Sequence, residues 1–169
     1  MTENSTDGVR WLKQHEMLGM WLVTVGGGVG LFCFGPICDG IGRRRAFIVF
    51  HICATAVSIV LFTVLKNSTV LLTGVWLPIF GFFTLGMHAG YAVYFPELFP
   101  ARIRGAAAGI SFNTARVFAA PVLIYSGSLI KSGTAERFYT VTSSFSLLFL
   151  VGAVLILFGP ETRGASLPD

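Results

Sequence analysis

The chain has 169 residues, of which 54% are hydrophobic and only 12% charged, with a formal net charge of +4. Soluble domains carry about a quarter charged residues, and this much apolar surface cannot be shielded from water by so little charge, so an ordinary soluble globular domain is excluded. The positive balance is no nucleic-acid footprint either, because the basic residues sit mostly in short loops between apolar runs, where they fix orientation.

Five runs reach the ~20 mostly apolar residues that a membrane helix needs: 17–37, 46–65, 70–95, 106–130 and 138–158. They are too long and too little alternating for barrel strands, and only helices and closed barrels satisfy the backbone in lipid. The expected architecture is an all-α integral membrane protein. It comprises a polar N-terminal segment (1–16), a transmembrane helical domain (17–158) and a polar tail (159–169). The first 16 residues contain no apolar stretch of the signal-peptide kind.

The first run is crowded with Gly26, Gly27, Gly28 and Gly30, and the Gly26-x-x-x-Gly30 spacing permits close helix contact. It ends in Gly35-x-x-x-Asp39-x-x-Gly42-Arg43-Arg44, in which glycines allow close backbone approach and a tight turn. Asp39 can cap the next element or accept from an arginine there, and the arginines can grip carboxylates or lipid headgroups. Cys33, Cys38 and Cys53 are odd in number and lack metal-ligand spacing, so neither a disulfide framework, a metal site nor a cofactor is expected.

The second run holds His51 near its start, read as structural. The third carries Pro78, expected to kink it, and His88 with Thr84 and Tyr91 on one face. Histidine titrates near neutral pH, so His88 is a candidate carrier of a coupled proton, set against a neutral histidine bonded to a carbonyl or a tyrosine. Tyr91 and Tyr94 are candidates for hydrogen bonding a substrate or for interfacial positions. The decapeptide PELFPARIRG, Pro96 to Gly105, then separates the third and fourth runs. Pro96 is expected to end the helix and Pro100 to stiffen the turn, while Glu97 is expected to pair with Arg104 or with the Arg43–Arg44 loop.

The fourth run contains Arg116 about ten residues in, about 15 Å deep at 1.5 Å per residue. Gly109, Asn113, Arg116 and Ala120 share a small, polar helical face. An unpaired arginine at that depth costs at least about 2.5–3.5 kcal/mol, so it faces a cavity or a partner. Either Arg116 grips a substrate carboxylate with Asn113 holding a second oxygen, or it pairs with an acid from outside these runs, which contain no deep acid. No enzyme signature is present: no H-E-x-x-H, no phosphate loop and no nucleophile elbow.

Five crossings place the termini on opposite sides. Arg43, Arg44, Arg45, Arg102, Arg104 and Arg163 lie on one, and Arg10, Lys13, Lys66, Lys131 and Arg137 on the other. The small excess predicts a cytoplasmic C-terminus. Asn4-Ser5-Thr6 and Asn67-Ser68-Thr69 match the glycosylation pattern and would lie outside.

Three stretches carry a family resemblance, and a fourth, Gly109–Pro121, adds to it. The Gly35–Arg44 signature resembles the loop joining helices two and three, and again eight and nine, of the major facilitator superfamily of transporters. PELFPARIRG is similar to the connection after helix ten in its sugar-porter and metabolite–proton symporter branches, where an acid and an arginine seven residues on recur; these are Glu97 and Arg104 here. GPETRG resembles the sugar-porter ending, and Gly109–Pro121 resembles helix eleven of the organic-acid symporters. Gly40 stands where the family usually has a basic residue. The order of the motifs implies helices eight to twelve of a twelve-helix fold, with helices two to six as the alternative placement.

The resemblance implies secondary active transport of a small polar solute, an organic anion or a sugar, by alternating access with proton symport in a cell (plasma or inner) membrane. It also implies a missing N-terminal half as partner. Asp39, Arg43, Arg44, Glu97, Arg104, Glu161 and Arg163 would form a cytoplasmic ion-pair gate, with Gly35 and Gly42 shaping its loop. The contrasting expectation is a truncated, non-transporting membrane protein with a regulatory or scaffolding role.

Overall fold

The computed structural model describes residues 16–65, 68–131, 135–165 and 168. Most of the polar N-terminal segment, with the Asn4 triplet, Arg10 and Lys13, lies outside the described residues, as do Lys66 and Asn67. The chain is all-α. Its helices are α1 (Glu16–Ile41), α2 (Arg43–Ile59, running on into a π-helical turn Val60–Val64), α3 (Val70–Leu98), α4 (Arg104–Lys131), α5 (Ala135–Ser146) and α6 (Leu148–Leu157). Five helical segments are long and apolar enough to cross a membrane, the fifth being Tyr139–Leu157 across α5 and α6.

Helix boundaries depart from the sequence expectation at three places. The first helix continues to Ile41, so Asp39 sits inside it and the connection to α2 is Gly42 alone. Gly42 has φ 97°, a left-handed conformation that glycine adopts without the steric cost of a Cβ. Pro96 does not end α3, which runs on to Leu98. The helix stops where Phe99 turns extended (φ −120°, ψ 145°) ahead of Pro100, the conformation that a following proline favours, whereas Phe95 before Pro96 stays helical. The fifth span breaks at Leu147. Ser143, Ser144 and Ser146 each donate to the carbonyl four residues back, a bonding pattern that bends helices. Leu147 is then held by a tighter turn from the Ser144 carbonyl.

The core forms where α1, α2 and α3 meet. Phe34, Cys38, Phe47, Phe50, Met87 and Tyr94 are its buried centre. Phe34 lies 5.1 Å from Phe47 and 4.8 Å from Phe50, in the tilted and edge-on geometries that aromatic rings prefer. Glycine brings α1 and α3 together: a Cβ on Gly26 would strike the backbone of Pro78, one on Gly30 that of Phe82, and one on Gly81 that of Val23. In lipid, where apolar side chains gain nothing by leaving the bilayer, such close backbone contact is what holds helices together. Gly28 and Gly35 face open space, so the close approach expected at Gly35 occurs instead at Gly26 and Gly30. Helix α4 stands at the margin. Phe112 meets Phe95 at 5.4 Å, but every side chain from Asn113 to Tyr125 is exposed.

Candidate functional site

The alternating helices bring the end of α1, the start of α2, the end of α3 and the segment after α6 to one end of the bundle. Seven of the sequence-predicted gate residues meet there: Asp39, Gly42, Arg43, Arg44, Glu97, Glu161 and Arg163. Arg43 is the hub. Its guanidinium donates through Nη2 to Glu97 Oε1 at 2.9 Å and through Nε to Glu97 Oε2 at 3.3 Å, the bidentate fork that arginine alone offers a carboxylate. Nη1 pairs with Asp39 one turn back and donates to the Cys38 carbonyl at 3.3 Å. Arg43 and Glu97 side chains keep only 14% and 17% of their exposure, whereas Asp39 keeps 69%, so the Glu97 pair is the desolvated one. Glu97 also accepts from the Thr162 hydroxyl at 2.5 Å.

Glu161 does different work. Its Oε1 accepts from the Arg43 backbone N–H at 2.8 Å and its Oε2 from that of Arg44 at 3.1 Å. A carboxylate 118 residues away in sequence thereby satisfies the free amides that begin α2 and meets the positive end of that helix. Burial works against ionisation here, yet the N–H groups of Arg43, Arg163 and Arg44 outweigh it and hold the Glu161 carboxyl below the usual carboxylate range. A Cβ at Gly42 would also come within 2.8 Å of Glu161 Oε2, so a side chain there would push the carboxylate off the amides it caps. The tail is pinned further by Arg44 donating to the Leu157 carbonyl at 2.6 Å, Arg163 to the Gly40 carbonyl at 2.5 Å and Tyr94 to the Pro160 carbonyl at 2.7 Å.

Arg104 is not part of this cluster. Its Nε donates to the Phe99 carbonyl at 3.3 Å, closing the Pro100 turn on itself, and Glu97 takes Arg43 instead. Thr162 and Tyr94 enter the cluster without having been singled out for it. Thr162 belongs to the tail motif beside Glu161, whereas Tyr94 reaches the tail from α3 through the Pro160 carbonyl, which the sequence did not signal.

The intramembrane candidates divide. Thr84 is buried and donates to the Phe80 carbonyl, while His88 is exposed, its ring edge-on to that of Tyr91 at 6.3 Å and its Nδ1 3.2 Å from the Leu85 carbonyl. Tyr91 pairs with His51: Nδ1 of His51 lies 2.7 Å from the Phe47 carbonyl, and Nε2 lies 3.3 Å from the Tyr91 hydroxyl. Because a carbonyl only accepts, Nδ1 carries the proton, and in the neutral ring Nε2 accepts from tyrosine. His51 is 4% exposed and packs under Gly152 of α6, in keeping with a structural reading. Arg116 and Asn113 both stand on the exposed face of α4. Asn113 donates to the Gly109 carbonyl at 2.8 Å, and Arg116 has no ion pair among the described residues. Among the described residues no cluster of metal-ligating side chains exists.

No family model and no solved structure matches the chain. Curated relatives do. A Haemophilus influenzae protein described as a metabolite transport protein is 32% identical over 155 residues, which is 88% of this chain and 36% of the relative. A Cupriavidus pinatubonensis protein described as a 4-methylmuconolactone transporter is 27% identical, over 94% of this chain and 37% of its own length. The niacin transporter of Acinetobacter baylyi is 33% identical, over 73% and 28%. The chain thus spans about a third of the length of the curated relatives it matches. With its three motifs and five apolar helices, the chain is similar to metabolite transporters of the major facilitator superfamily, over about a third of their length.

Proposed function

We propose that the chain is the C-terminal part of a secondary active transporter that moves a small organic anion by alternating access. The observation that carries this reading is Arg116. An arginine placed mid-way along an apolar helix, exposed and with no acid beside it among the described residues, needs a complement. In the assembled transporter the exposed face of α4 lines the pathway opposite an N-terminal half. A substrate carboxylate then supplies the complement to the Arg116 fork, and Asn113 holds a second oxygen. One relative is named for niacin, a pyridine carboxylic acid, which fits that chemistry better than a sugar does.

The charged cluster at the other site is the gate. Arg43, Asp39 and Glu97 tie α1, α2 and α3 together, and Glu161 ties the tail to α2. This end lies at the cytoplasmic face in the outward-open state, and inward opening breaks it. The exposed Arg43–Asp39 pair is individually weak, so reopening the latch turns on releasing the more enclosed Arg43–Glu97 pair. His88 carries the coupled proton from its exposed position on α3.

Uptake into proteoliposomes holding this chain with a complementary N-terminal half tests the proposal. Arg116→Lys keeps the charge but loses the planar fork, and the KM for a carboxylate substrate rises about tenfold or more, the loss of one good contact of about 1.4 kcal/mol. Uptake at wild-type KM sinks the carboxylate assignment. His88→Gln abolishes uptake driven by a proton gradient while exchange of substrate for substrate continues; loss of both, or of neither, removes His88 from coupling.

A further inference from the structure

Beside the gate lies an open pocket of about 490 Å³ between the start of α2 and the tail. Its polar wall is Arg44, Arg45, Arg163 and Glu161, and its apolar wall is Ile41 and Ile48. The charges there do not balance. Glu161 spends its oxygens on backbone amides of Arg43, Arg44 and Arg163 rather than on a guanidinium. Arg44 and Arg163 are each anchored by a backbone carbonyl, at 2.6 and 2.5 Å, which fixes their position and leaves their other N–H donors free of any acid among the described residues. Arg45 is exposed and has no partner among the described residues. Arg43, by contrast, is matched by Asp39 and Glu97.

Three forks around one cavity, two of them held by backbone carbonyls, with a net excess of positive charge, suit a phosphate. Arg44 and Arg45 belong to the first turn of a helix long enough to cross a membrane, which puts the pocket at the level of lipid headgroups. Ile41 is 40% exposed at its rim, so a ligand bearing an acyl chain gains apolar contact that a free ion does not. The geometry points to a site for the phosphate of an anionic lipid, held by Arg44, Arg45 and Arg163 against α2. Occupancy ties lipid charge to the same helix start that Glu161 caps, so an anionic membrane steadies the closed gate. Only its effect on the gate rests on the transport reading; the site itself does not and is read out by lipid binding.

The test is native mass spectrometry of the chain in detergent micelles, with phosphatidylglycerol or phosphatidylcholine of identical acyl chains. The wild-type chain retains phosphatidylglycerol about tenfold over phosphatidylcholine, a preference of about 1.4 kcal/mol. Arg45→Gln, which removes an exposed side chain with no structural partner, lowers that preference, and Arg45→Gln with Arg163→Gln brings it to parity. Equal retention of both lipids by the wild-type chain overturns the proposal, as does an undiminished preference in the double variant. Displacement of the lipid by millimolar inorganic phosphate at constant ionic strength assigns the pocket to a free anion and overturns the lipid as its occupant.

Discussion

The Arg43–Glu97 pair offers the sharpest energetic test. Deleting one partner of a buried ion pair costs about 3–5 kcal/mol, because the other charge is left desolvated and alone. Here each side chain keeps about a seventh of its exposure, and Arg43 retains Asp39, so Glu97→Gln is expected to cost about 2–3 kcal/mol. For a chain of this length about 2–4 °C of Tm accompanies each kcal/mol, giving a fall of about 4–12 °C. Asp39→Asn removes an exposed partner and costs about 1 kcal/mol or less. The assay is thermal unfolding by circular dichroism in one detergent, applied to Glu97→Gln, Arg43→Gln and the double variant. A coupled pair gives a double variant little worse than either single one, with an interaction energy of about 1.5 kcal/mol or more. Additive losses, or a Glu97→Gln chain no less stable than Asp39→Asn, refute the view that Arg43 and Glu97 form the desolvated hub.

Three further outcomes are expected. The depressed Glu161 carboxyl contributes stability that is present above the usual carboxylate range and is lost as pH falls through its lowered value, so the wild-type Tm drops on acidification by more than that of Glu161→Gln, measured side by side from pH 7 to pH 3. Gly26→Val drives a side chain into the Pro78 backbone and abolishes the folded monomer on size-exclusion chromatography, whereas Gly28→Ala, on the open side of the same helix, behaves as wild type. Tyr94→Phe deletes the bond to the Pro160 carbonyl and costs about 0.5–1.5 kcal/mol, seen as faster proteolysis of the tail with the bundle intact.

The helical spans were legible because lipid imposes a length and forbids charge, and both can be counted in a one-dimensional sequence. Arg43, Glu97 and Glu161 were legible as charges at helix ends, yet the partner of Glu97 was not. Arg104, seven residues away, and Arg43, fifty-four away, are equally plausible on paper, and only the helix directions decide between them. The end of α3 was misplaced because Pro96 reads as a helix breaker on paper, yet it sits within the helix, which turns extended only at Phe99 before Pro100. The break at Leu147 came from serine hydroxyls competing for carbonyls inside a run that hydropathy scores as continuous. The His51–Tyr91 contact needed the rotation of α2 relative to α3, which core packing sets and periodicity on either helix alone does not reveal.

The cap that Glu161 places on α2 carries a consequence for biosynthesis. A ribosome finishes Arg43 and Arg44 long before it reaches Glu161, so the amides that open α2 meet only water and headgroups while α3, α4, α5 and α6 are being made. The second helix enters the membrane without that cap, which the segment following α6 supplies later. A ribosome stalled just short of Glu161 therefore leaves this cap unmade, while the Arg43–Glu97 pair between α2 and α3 needs nothing from the tail.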